Sequence, residues 1–142
     1  MPQDSILGPM LLDLFINDLN SAVKSSCTDS YVDDTKIYCS FSAKLMNSYL
    51  VKMTEDLRLL AGWCCSHQLL INQSKTKLIF FGTRQLLSKI PDIRVAFLDQ
   101  ELTPVSSVKD LGITLDSYLN FNDRVNTLTS SLLSMLCQIS RV

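Results

Sequence analysis

The sequence predicts an α+β fold, an antiparallel sheet with helices packed against one face. Three observations lead there. Segments near both the middle and the end of the chain repeat apolar residues every three or four positions over several turns. Short apolar runs bounded by turn-forming residues read as strands. The elements follow in the order helix, hairpin, helix, strand, strands, helix.

Each element has its own signal. Pro9 can open a helix running to about Val23, with Leu11, Leu12, Phe15, Ile16 and Leu19 along one side. That stripe is core packing, and Asn17 and Asp18 near its end fit local hydrogen bonding. Residues 28–32 and 35–41 read as two strands, with Ile37, Cys39 and Phe41 alternating on one face. Asp33 and Asp34 form the connection, because aspartate tolerates turn geometry. Met46, Leu50, Met53, Leu57, Leu60 and Cys64 mark a long amphipathic helix from about 43 to 66. Leu78 to Phe81 reads as a buried strand ended by Gly82. Residues 93–98 and 101–103 fit a hairpin around Asp99 and Gln100, and Leu111 to Leu115 another strand. Val125, Leu128, Leu132, Met135 and Ile139 define a last helix from about 122 to 140.

Composition bounds the function. At 142 residues the chain is one domain's length, and its 46% hydrophobic content is that of a globular protein. No apolar run approaches the ~18 residues of a membrane span, and the N-terminus lacks a signal-peptide pattern. The net charge is −1, whereas a free-standing nucleic-acid binder usually carries a basic excess. Five cysteines at irregular spacing fit a reducing compartment, so an intracellular setting, nuclear or cytoplasmic, is expected. Cys64-Cys65-Ser66-His67 invites a zinc reading, but no second ligand pair accompanies it and Cys64 fits the apolar face of a helix.

The densest chemistry lies in Tyr31-Val32-Asp33-Asp34. Two carboxylates fixed on a hairpin are a way to hold Mg²⁺ against a nucleotide triphosphate. The tetrapeptide alone is weak evidence, because a solvated turn would look the same. Its neighbours add specificity. Pro2-Gln3-Asp4-Ser5-Ile6-Leu7-Gly8-Pro9 lies upstream, followed by Met10-Leu11-Leu12-Asp13-Leu14-Phe15-Ile16-Asn17-Asp18-Leu19. Downstream come Trp63, Leu70-Ile71-Asn72-Gln73-Ser74-Lys75-Thr76-Lys77, and later Val108-Lys109-Asp110-Leu111-Gly112-Ile113-Thr114-Leu115-Asp116. In this order the blocks resemble the reverse transcriptases of non-LTR (LINE-type) retrotransposons, over nearly the whole chain.

The resemblance implies a polymerase-palm-like fold for residues 1–120, with the start of a helical thumb at 121–142. It implies RNA-directed DNA synthesis by two-metal nucleotidyl transfer, with an RNA template, a DNA primer and deoxynucleotide triphosphates as partners of the parent enzyme. Mg²⁺ would be the cofactor. Asp33 would be the direct metal ligand, with Asp34 supporting it as a second ligand or electrostatically. Lys75 would assist the leaving pyrophosphate, Tyr31 would pack beneath the primer end, and Gln3 would stand beside nucleotide and template. The bland alternative for Lys75 is a solvated surface lysine. Trp63 and Asn72 read as structural.

The departures from the family pattern are specific. Asp4 replaces a glycine that allows backbone to approach the nucleotide, and puts negative charge near a triphosphate. Val32 replaces the commoner alanine. The family's third catalytic carboxylate, on a strand preceding the Pro-Gln block, has no counterpart, since Met1 abuts Pro2. These features suggest a truncated copy, inactive alone, whose uncovered apolar surface favours self-association. Two readings follow, the C-terminal palm portion of a reverse transcriptase, or a non-catalytic remnant, inert or kept as a protein-interaction module.

Overall fold

The structure is a computed structural model, and it describes residues 7–140. The elements are α1 (Gly8–Phe15), α2 (Leu19–Ala22), β1 (Cys27–Tyr31), β2 (Asp34–Tyr38), a 3₁₀ turn (Ala43–Leu45) and α3 (Met46–Ser66). They continue as β3 (Leu78–Ile79), α4 (Arg84–Leu87), β4 (Val95–Phe97), β5 (Gln100–Leu102), β6 (Pro104–Val105), β7 (Ser107–Asp110), β8 (Ile113–Asp116) and α5 (Asn122–Ile139). The strands form four separate two-stranded sheets, β1–β2, β3–β6, β4–β5 and β7–β8. β3 and β6 pair in parallel. The chain divides into two compact units, residues 1–75 with 95–101, and residues 76–94 with 102–142.

The first unit is built around α3. Leu60 and Cys64 on its apolar stripe bury themselves against Leu19 of α2, with Ile16, Val23, Ile37, Trp63, Leu69 and Ile71 packed around them. β4 also packs against α3, and its Val95 and Phe97 are buried. The helix expected from Pro9 to Val23 is interrupted at residues 16–18. There the Leu19 N–H donates to the Ile16 carbonyl (3.0 Å) and the Ser21 N–H to Asp18 (2.9 Å), which are tighter i→i+3 bonds. Asn17 and Asp18 favour such turns over helix interior. Of the stripe read as core, Leu19 is buried and Leu12 and Ile16 are half-buried, but Leu11 and Phe15 remain exposed.

In the second unit, β7 and β8 pair antiparallel in the register Ser107↔Asp116 to Asp110↔Ile113. Leu111 and Gly112, both at positive φ (43° and 83°), make the connecting turn. Leu111 therefore leaves the strand in which the sequence placed it, because a two-residue hairpin loop takes its positive-φ pair at Leu-Gly. The expected strand over Leu78–Phe81 is shorter, and its two residues are half-buried. Asp116 shapes the approach to α5, accepting from the N–H of Tyr118 (3.2 Å), Asn120 (3.2 Å) and Phe121 (2.9 Å). Arg124 Nη1 donates to the Gly112 carbonyl at 2.9 Å, tying the first turn of α5 to the β7–β8 turn. Residue 121, the N-cap of α5, falls inside this unit.

Candidate functional site

The segment Tyr31-Val32-Asp33-Asp34 sits at the tip of the antiparallel β1–β2 hairpin. The expected hairpin forms, but its turn is one residue earlier than the sequence suggested. Tyr31 pairs with Asp34, so Val32 and Asp33 are the two turn residues and Asp34 opens β2. Val32 takes φ 55° and Asp33 has no positive φ. That is the φ pattern of a type II′ turn, whose hand matches the twist of the strands. The position favours glycine, and a β-branched residue there is strained.

Alternation divides the hairpin into two faces. Thr28, Ser30, Thr35 and Ile37 share one. Ile37 packs against the Leu19–Leu60–Cys64 core, Thr28 Oγ1 donates to Asn20 Oδ1 at 2.6 Å, and the hydroxyls of Ser30 and Thr35 pair at 3.2 Å. Cys27, Asp29, Tyr31, Asp34, Lys36 and Tyr38 share the other. Tyr31, Asp33 and Asp34 are exposed. The carboxylates of Asp33 and Asp34 make no hydrogen bond or ion pair with any described residue. On the same outer face, the hydrogen bond with Asp29 and the charge of Asp29 raise the Tyr38 hydroxyl above its ordinary pKa.

Two acidic side chains elsewhere are in the opposite condition. Asp56, on the buried side of α3, is 1% exposed. It accepts from Lys24 N (3.0 Å), Ser25 N (3.1 Å) and Ser26 Oγ (2.7 Å), the residues leading directly into β1. Burial alone would raise its pKa, but the hydrogen bonds from Ser26 and from the backbone N–H groups of Lys24, Ser25 and Ser26 outweigh it and hold the carboxyl below its usual range. Asp116 shows the same balance, burial raising its pKa and the N–H groups of Phe121, Asn120 and Tyr118 lowering it further. The sequence reading missed Asp56. The available signal was its spacing, three residues after Met53 and four before Leu60, which places a lone carboxylate in an apolar stripe.

Lys75 lies on an exposed turn shaped by Asn72, whose Oδ1 accepts from Ser74 Oγ (2.8 Å) and Lys75 N (3.3 Å). No hydrogen bond or ion pair joins Lys75 to Asp33 or Asp34. The structure therefore groups Tyr31, Asp33 and Asp34 and leaves Lys75 on a separate turn. Gln3 and Asp4 lie outside the described residues. Trp63 is half-buried against the core and stacks on His67, ring centroids 3.9 Å apart, while His67 Nδ1 lies 2.9 Å from the Trp63 carbonyl oxygen. His67 and buried Cys64 are thus engaged in packing.

Two adjacent carboxylates fit Mg²⁺, which is commonly held by one or two protein carboxylates together with substrate phosphates. Among the described residues no group of three or more His, Cys, Asp or Glu side chains could hold a metal ion. The donor set therefore fits an ion shared with phosphate oxygens, and falls short of a complete two-ion site within the described residues.

The chain is 31% identical over 138 residues, 91% of its length, to the "Probable RNA-directed DNA polymerase from transposon BS" of Drosophila melanogaster. It spans about 15% of the length of that relative. No protein-family model matches the chain, and no solved structure does. The similarity relates the chain to a transposon-encoded RNA-directed DNA polymerase, the coarse reading that its motifs support. No helix among the described residues is long and apolar enough to cross a membrane.

Proposed function

We propose that this chain is the palm portion of a non-LTR retrotransposon reverse transcriptase, with residues from about 121 starting the thumb. The observation that carries the reading is the unengaged carboxylate pair Asp33 and Asp34 on the tip of an antiparallel hairpin. In the parent enzyme the partners are an RNA template, a DNA primer and deoxynucleotide triphosphates. Asp33, at the apex of the turn, would hold Mg²⁺ directly, and Asp34 would supply a second oxygen or its field. An ion held there would supply charge neutralisation for the phosphates and for the attacking and leaving oxygens. Tyr31, beside Asp34 on the outer face, offers an aromatic surface to the primer end. Lys75 brings a positive charge to the pyrophosphate once substrate is in place, and Gln3 contacts nucleotide and template.

The chain alone does not polymerise DNA on this reading, because the described carboxylates do not complete a two-metal site. The test exchanges the matched stretch of the transposon BS relative for this chain and measures primer extension on an RNA template with Mg²⁺. The chimera should incorporate nucleotide, and Asp33→Asn should lower the rate by about 100-fold or more. A chimera whose extension is indifferent to Asp33→Asn would overturn the assignment.

A further inference from the structure

We propose that Asp56 is the positioning residue of the Tyr31–Asp34 hairpin. A two-stranded hairpin is marginally stable on its own, so its direction depends on what holds its base. Here β1 begins at Cys27, and the three residues before it are all held by one carboxylate. Ser25 N also reaches the second oxygen, Oδ1, at 3.3 Å, so both oxygens of Asp56 are used. The acceptor is fixed in turn, since Asp56 lies on the face of α3 that carries the buried Leu60 and Cys64. Ser26 Oγ additionally contacts Met53 Sδ at 3.7 Å, on the same helix face. Two further attachments act higher on the ribbon, Thr28 to Asn20 and Ile37 to the core. Beyond Thr28 and Ile37, no side-chain hydrogen bond, ion pair or ring contact of Tyr31, Asp33 or Asp34 with another described residue orients the tip, and the aim of the carboxylate pair is inherited from the base.

This role requires a charged acceptor. A carboxylate accepts at both oxygens and offers no donor at neutral pH, whereas an asparagine would turn an NH₂ toward donors already present. Hydrogen bonds to a charged, buried group are the stronger kind, and leaving their partners unmade in the interior is costly. Calling the hairpin functional rests on the proposed function, but the anchoring itself does not.

The test uses the whole 142-residue chain and two variants, Asp56→Asn and Ser26→Ala. Amide hydrogen exchange is read in β1–β2 and, as the internal reference, in the middle of α3. In Asp56→Asn the hairpin amides should lose about tenfold more protection than those of α3. In Ser26→Ala, which keeps the carboxylate and the core, the excess loss should be about threefold. A second readout is the Mn²⁺ concentration that half-broadens the amide resonances of Tyr31 to Thr35, which should rise in both variants. Equal loss of protection in hairpin and α3, or none in the hairpin, would overturn the proposal. If Asp56→Asn does not fold, Ser26→Ala decides by the same comparison. If the unsubstituted chain shows no Mn²⁺ effect, the metal reading fails while the exchange comparison still decides the role of Asp56.

Discussion

At Asp56, Lys24 N, Ser25 N and Ser26 Oγ converge on one carboxylate, and its pKa in the fold lies below the unfolded value of about 3.9. The sign of the linkage follows. The group's contribution to stability is fully present above the unfolded pKa and is lost as pH falls through the folded one. Thermal melts should therefore show the chain losing stability below about pH 4, with a flatter acid profile in Asp56→Asn. At neutral pH that variant should be less stable by about 3 kcal/mol in urea unfolding, the scale of hydrogen bonds to a buried charge. Val32 is a second residue with a definite consequence. Its left-handed backbone is costly for a β-branched side chain, so Val32→Gly should stabilise the chain by about 1 kcal/mol, again read by urea unfolding. Both residues mark where sequence reading stopped. Aspartate is the usual turn residue, which drew the turn toward Asp33 and Asp34. The pairing of Tyr31 with Asp34 puts an apolar residue there instead. Likewise a carboxylate in an apolar stripe shows its position but not its partners, which lie about thirty residues away, as with Lys24.

At the scale of elements, α3 and α5 were legible because a helical period sustained over many turns has few alternatives. α3 runs Met46–Ser66 after a 3₁₀ turn at 43–45, and α5 runs Asn122–Ile139, close to the ranges expected. The helix expected from Pro9 was legible in its start and not in its break at 16–18, where Asn17 and Asp18 compete with helical bonding. Periodicity also says nothing about which partner covers an apolar face. Val125, Leu128, Leu132, Met135, Leu136 and Ile139 of α5 are exposed, a contiguous stripe of the kind that drives association. Sedimentation of the isolated chain should show a mass that rises with concentration, and Leu132→Glu should shift it toward monomer. A concentration-independent monomer would show that this face does not associate.

Across the whole molecule, the motif blocks pointed toward a polymerase more directly than the fold does, since the chain is 31% identical over 91% of its length to a transposon RNA-directed DNA polymerase while its strands form small separate sheets. With 13 basic and 14 acidic residues, the chain lacks the positive excess that would hold a template by charge alone. Primer extension by the isolated chain, with Mg²⁺ or Mn²⁺, should give no incorporation above background, and incorporation that disappears on Asp33→Ala would mean that another carboxylate completes the site. The central claim is narrower, that the hairpin pair takes a divalent cation. Paramagnetic broadening of backbone amide resonances by Mn²⁺ addresses it most directly. On this account the amides of Tyr31 to Thr35 broaden first and saturably, Mg²⁺ reverses the effect, and Asp33→Asn removes it. Broadening that begins at Asp99 or Asp116, or that ignores Asp33→Asn, would contradict it.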